Sequence, residues 1–236
     1  MEFVFIIYIA FIIAAYFLGA LPIMVLMGRL KGLDLSKERD LHDYLFNRMG
    51  KGWGISGFCA DILKGVITVL AGFLLQFPAI VVVLAALSAI CGQMWPVFNK
   101  FDGEHGNTIG LGVVATLSLA YGAPWVIIIA VGIALLGLLI RTVNRWRQKG
   151  ESLAERIKLG GKPSNIFPLM VIIGFASLIL TSIIFKMQVE ITWGFTGVLL
   201  LLLVRRVTGG LLADLKKSHN KGSVIINRLL YDRSEI

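Results

Sequence analysis

The chain has 236 residues, of which 57% are apolar and only 16% charged, a balance that excludes an ordinary soluble globular domain. Twenty-three Lys and Arg against fourteen Asp and Glu give a net charge of +9, and the placement of that charge argues against nucleic acid. The basic residues gather in alternate connections between apolar blocks, which is the pattern of membrane topology.

The first block runs from Phe3 to Met27. It has no basic segment before it and no small-residue cleavage site after it, so it reads as a retained first helix continuing through Pro22. Further windows of about 20 residues give helices near 53–75, 78–98, 108–121, 124–140, 166–185 and 190–204. The expected fold is therefore an all-α, polytopic membrane protein with about seven spanning helices in one integral domain, followed by a basic tail over 205–236. Cys59 and Cys91 both fall inside apolar segments and read as small buried hydrophobes, with no disulfide framework or metal site.

Charge sets the orientation. The connection from Gly28 to Gly52 carries Arg29, Lys31, Lys37, Arg39, Arg48 and Lys51, the one from Arg141 to Asn165 is similarly basic, and so is the tail. The turns at Gln76–Pro78, Tyr121–Pro124 and Lys186–Glu190 carry one basic residue between them. The positive-inside rule places the basic connections in the cytoplasm, with the N-terminus outside and the C-terminus within. The 108–121 segment spans only about 21 Å, less than a hydrocarbon core of about 30 Å. It is expected to leave a hollow open to the cytoplasmic face beside Gly103–Thr108.

Two places carry polar chemistry at membrane depth. In Asp61-Ile-Leu-Lys64-Gly65 opposite charges stand three residues apart on one helical face; such groups are either functional or a structural bridge. The stretch from Gly92 to Gly112 combines glycines, Pro96 and polar side chains. Gly103, Gly106, Gly110 and Gly112 could bring main-chain N–H groups close to an anion, with Asn107 and Thr108 at a helix start and His105 as a general acid or base. The plainer reading is a tight turn whose small residues serve helix packing. Basic residues from Arg141 onward, and in the tail, read chiefly as lipid-headgroup contacts. Val224–Leu230 reads as an interfacial amphipathic helix.

With these residues in view, the chain resembles the bacterial acyl-phosphate:glycerol-3-phosphate acyltransferases, the PlsY family of seven-helix enzymes. The resemblance is carried by Gly19-Ala-Leu-Pro22, Gly28-Arg-Leu-Lys-Gly-Leu-Asp34, Asp61-Ile-Leu-Lys-Gly65, Gly92-x-x-x-Pro-Val-Phe98, Phe101-x-Gly103-x-x-Gly106 and Gly110-Leu-Gly112. It implies acyl transfer from acyl phosphate to the 1-hydroxyl of glycerol 3-phosphate in phospholipid synthesis, with no metal or other cofactor. Lys64, Asp61 and His105 would be catalytic, and Arg29, Gly103, Gly106, Asn107, Thr108, Arg141 and Asn227 would bind substrate. Membrane lipids and a membrane protein are the other expected partners.

The chain also departs from the family pattern. The run after Asp34 lacks the family's glycines, Gln93 replaces a histidine, Asp102 a basic residue and His105 a lysine, and Glu104 adds a negative charge. Simple Coulomb reasoning makes this loop a poor host for a phosphate dianion. Two other functions fit the same scaffold: a non-catalytic descendant that binds lipid or a partner subunit, and a small-solute transporter.

Overall fold

A computed structural model describes residues 2–33, 35, 41–146, 166–217 and 221–231. Every regular element among them is helical. In chain order these are α1 (Glu2–Ala20), α2 (Ile23–Leu30), α3 (Leu41–Tyr44, followed by one wide turn over Leu45–Met49), α4 (Lys51–Leu74), α5 (Ala79–Met94, followed by a 3₁₀ turn over Val97–Asn99), α6 (Asn107–Ala120), α7 (Pro124–Trp146), α8 (Ile166–Ile184), α9 (Val189–Thr208), α10 (Leu211–Lys217) and α11 (Lys221–Tyr231).

The distribution of polarity is that of a membrane protein. Phe3, Phe5, Ile6 and Phe17 on α1, Leu135 and Leu139 on α7, and Leu180 and Ile183 on α8 are all exposed, while Asp61, Lys64, Gln93, Arg205 and Arg206 are buried. Water would penalise such an apolar exterior, whereas lipid does not. Among the described residues four segments are long and apolar enough to cross a bilayer: Glu2–Leu30, Lys51–Leu74, Ala79–Asn99 and Val189–Thr208. Asn107–Ala120, Pro124–Ile133 and Pro168–Ile184 are shorter apolar helices. Hydroxyls inside the helices are satisfied locally: Thr68, Thr116 and Ser118 each donate to the carbonyl four residues earlier, at 2.7–2.8 Å.

The helices pack as α1 on α5, α4 on α6 and α7 on α8, with α9 bridging α5 and α8. The core lies where α4, α5, α6 and α9 meet, around Val69, Val82, Ile90, Ile109, Val113, Leu117, Phe195 and Val198. Glycine sets the closest approaches. A Cβ on Gly65 would run into the Ile109 carbonyl and one on Gly112 into that of Ile62, so α4 and α6 touch backbone to backbone. Gly19 and Gly92 do the same for α1 and α5.

The structure alters two expectations. The first window is two helices, broken at Leu21-Pro22, because proline has no N–H for the helical bond to Leu18 and its ring crowds the preceding turn. Cys59 is exposed and Cys91 half-buried, since α4 turns the face bearing Cys59 outward.

Candidate active site

The polar residues converge at the end of the bundle where α2, the start of α6 and the end of α9 come together. Asp61 and Lys64, one turn apart on α4, are 1% and 4% exposed, and Lys64 Nζ lies 2.8 Å from Asp61 Oδ1. Lys64 also donates to the Leu21 carbonyl at 2.8 Å. That carbonyl lies in the break between α1 and α2, where it accepts from the Ile23 N–H at 2.9 Å in place of a helical N–H four residues on, and so stays within reach of the lysine. The break and the buried lysine thus depend on each other.

Gln93, near the end of α5, carries the network onward. Its Nε2 donates to Asp61 Oδ2 at 2.7 Å and lies 3.3 Å from Glu104 Oε2 and 3.2 Å from Thr108 Oγ1. Two of these neighbours are carboxylate oxygens, which only accept, so the amide turns its nitrogen toward them. Thr108 donates to Asp61 Oδ2 at 3.4 Å, a long and weak bond. The loop between α5 and α6 returns on itself: the N–H groups of Gly103 and Glu104 donate to the Met94 and Gln93 carbonyls at 3.2 and 3.1 Å. Gly103 has no room for a side chain there, since a Cβ would meet the Gln93 carbonyl. Gly106, at φ +74°, makes the left-handed turn that opens α6.

From the far side, Arg205 on α9 clamps this loop. Its guanidinium donates to the Glu104 carbonyl at 3.2 Å, to Asp102 Oδ1 at 3.0 Å and to the Gly103 carbonyl. Asp102 is highly exposed, but Arg205 is buried and offsets its charge. The negative charge that the sequence places at 102 is therefore not presented bare to a ligand.

These groups surround a cavity of about 140 Å³ lined by the break at Gly19–Val25, by Arg29, Asp61, Lys64 and Gln93, and by Pro96, Phe98, Asn99, Gly103 and Glu104. Arg29 is exposed at its mouth, and its guanidinium has no hydrogen-bond or ion-pair partner among the described residues. The hollow expected beside Gly103–Thr108 lies at the start of the short α6, on the Gly103 side.

The sequence-derived candidates separate accordingly. Asp61, Lys64, Arg29 and Gly103 line the cavity, and Thr108 stands behind it, bonded to Asp61. Gly106 and Asn107 form the α6 start without lining it, and His105 is exposed outside its wall. Asn227, on α11, bonds Ser223 at 3.3 Å and is not a lining residue. Arg141 lies on the α7 backbone with its side chain outside the described residues. Among the described residues no group of three His, Cys, Asp or Glu side chains could hold a metal ion.

Sequence reasoning passed over three participants. Gln93 and Glu104 were visible only as departures from a motif, and Arg205 was grouped with the basic tail. The available signal was position, because Arg205 closes an apolar helix at the end of the bundle where the Gly103 loop must also lie.

Comparison with known proteins agrees with this geometry. The family model for glycerol-3-phosphate acyltransferase matches residues 9–209. Glycerol-3-phosphate acyltransferase 5 of Dehalococcoides mccartyi is 27% identical over 235 residues, covering 96% of this chain and 89% of the relative. The glycerol-3-phosphate acyltransferase of Glaesserella parasuis is 36% identical over 135 residues, covering 56% and 60%. Crystal structures of PlsY, described as an integral membrane glycerol 3-phosphate acyltransferase, share the fold: the lysophosphatidic acid form has a TM-score of 0.60 at 22% identity, covering 94% of this chain and 98% of that one, and the glycerol 3-phosphate form a TM-score of 0.59. With the apolar helices, the buried charged cavity and the match over 9–209 together, the chain belongs to the glycerol-3-phosphate acyltransferase family.

Proposed function

We propose that this membrane protein transfers a fatty acyl group from acyl phosphate to the 1-hydroxyl of glycerol 3-phosphate, releasing lysophosphatidic acid and inorganic phosphate. The observation that carries the reading is Arg29, a cation without a partner among the described residues, at the mouth of a cavity floored by Asp61 and Lys64. A guanidinium in that position suits the phosphate of a small soluble acceptor. The opening at the break between α1 and α2, beside the exposed Phe98, suits an acyl donor arriving from lipid. Bringing a lipid-borne donor and a soluble acceptor to one rim supplies the proximity that the reaction needs. Acyl phosphate is already activated, so no cofactor is invoked.

The ends of the bundle support the expected orientation. The turns around Gln76, Tyr121 and Gln188 line a common hollow at one end, while Arg29, Gly103 and the Arg205 end of α9 meet at the other. We place the second end in the cytoplasm of a bacterial inner membrane, with seven crossings in a single integral domain. A binding subunit or a transporter would not require an exposed cation, without a partner among the described residues, beside a buried carboxylate network.

The test is purified protein in lipid nanodiscs supplied with acyl phosphate and labelled glycerol 3-phosphate. Labelled lysophosphatidic acid with equimolar phosphate supports the reading, and binding of both ligands without turnover contradicts it. In the same assay Arg29→Ala is expected to raise KM for glycerol 3-phosphate by about tenfold or more, the loss of one charged hydrogen-bond donor.

A further inference from the structure

Beside the cavity stands a group of exposed cations that the proposed reaction does not use. Lys31 closes α2, Arg48 ends the wide turn after α3, and Lys51 opens α4; all three are exposed, and none lines the cavity. Neither 23–33 nor 44–60 contains an acidic residue. The connection between them carries Asp34, Glu38, Asp40 and Asp43, whose side chains lie outside the described residues.

Helix length sets the depth of this group. α4 has 24 residues, so at 1.5 Å each it is about 36 Å long, more than a hydrocarbon core of about 30 Å. Its first residues therefore stand at the bilayer surface. Trp53, half-buried and two residues beyond Lys51, is at the level where tryptophan anchors a span. Lys31 is brought to that level from another helix, since its Nζ lies 5.3 Å from the centroid of the Trp53 ring. Leu26 and Leu30, one turn apart on α2, are exposed beside it, Leu30 at 80%. Apolar side chains turned outward next to a surface cation are the arrangement of a helix lying in the headgroup layer.

We propose that Lys31, Lys51 and Trp53 form a docking site for the phosphate headgroup of an anionic phospholipid, with Leu26 and Leu30 against its acyl chains. An ammonium drawn over an indole face still has N–H groups to donate, and a phosphodiester accepts them. A zwitterionic headgroup brings its own ammonium, which the two lysines repel, so a net-negative lipid is favoured. Free phosphate lacks the chains that cover Leu26 and Leu30. The effect reaches the cavity, because Arg29 lies two residues before Lys31 on the same short helix, and a bound lipid holds that helix in place. The proposal does not depend on the acyl-transfer reading, and its test measures no turnover.

The experiment follows amide hydrogen exchange of α2 in nanodiscs of phosphatidylcholine, with and without phosphatidylglycerol of the same chains. In the wild type, phosphatidylglycerol should slow exchange over 26–31 by about threefold or more. Lys31→Gln combined with Lys51→Gln should abolish that response, Trp53→Leu should weaken it, and Lys186→Gln, at the other end of the bundle, should leave it unchanged. Lys31→Arg with Lys51→Arg should keep it, which separates loss of charge from loss of fold. Native mass spectrometry of the detergent-purified chain should show the first phosphatidylglycerol bound about tenfold or more tighter than phosphatidylcholine, with the Gln pair reducing that preference. A wild type whose α2 exchange ignores phosphatidylglycerol overturns the proposal, as does a Gln pair that responds like the wild type. So does slowing of α2 exchange by inorganic phosphate alone in phosphatidylcholine discs, which would make this a site for free phosphate.

Discussion

Asp61 and Lys64 show how a pair that is costly alone becomes tolerable in company. Each is almost fully buried, yet Lys64 has both Asp61 and the Leu21 carbonyl, and Asp61 has Lys64, Gln93 and Thr108. Removing one member strands the other, so Asp61→Leu and Lys64→Met should each destabilise the protein by about 3–5 kcal/mol. The double variant should recover most of that loss, and denaturant unfolding in detergent measures all three. Arg205 makes a comparable prediction on a longer lever. Arg205→Lys keeps the charge but lacks the planar fork that spans two carbonyls and a carboxylate, and it should cost about 1.5–3 kcal/mol, the scale of a hydrogen bond from a charged group. The Asp61–Lys64 pair was legible in sequence because three-residue spacing fixes a shared helical face. Arg205 was not, since its partners lie about a hundred positions away and only folding brings them together.

At the scale of elements, two interruptions make the site. One is the break between α1 and α2, where Pro22 stops the helix and leaves a carbonyl for Lys64. Pro22→Ala should let α1 run on and engage the Leu21 carbonyl within the helix, depriving Lys64 of that acceptor. The expected result is lower turnover with little loss of thermal stability, since alanine favours helix. The other is the short α6, which starts only after the Gly103–Gly106 turn and leaves room for the cavity. Its packing on α4 depends on Gly112, so Gly112→Leu should destabilise by about 1–3 kcal/mol or more through overpacking, measured by thermal unfolding in detergent. The apolar blocks showed in the sequence where helices lie, and their length separated the short α6 from the rest. The proline break was misjudged because hydropathy runs through Pro22 uninterrupted, and hydropathy counts apolar residues while backbone hydrogen bonds decide continuity.

At the scale of the whole molecule, the buried charged groups among the described residues gather at one end, and exposed apolar side chains cover the flanks. The arithmetic of motif residues had suggested a site too acidic for phosphate. The fold changes that balance, because Arg205 offsets Asp102 and Arg29 remains at the mouth. Summed motif charge leaves out residues that arrive from distant helices. Cysteines placed at Lys37 and Lys149 should both react with an impermeant reagent only from the cytoplasmic side, and one placed at Gln76 only from the opposite side.

The account as a whole requires acyl transfer at the basic end of a membrane-embedded bundle. Its most direct test is lysophosphatidic acid formation from acyl phosphate and impermeant labelled glycerol 3-phosphate in sealed vesicles of known sidedness. Inside-out vesicles should form product at once, and right-side-out vesicles only after permeabilisation. Equal rates from both faces, or no product from either once permeabilised, would contradict the account.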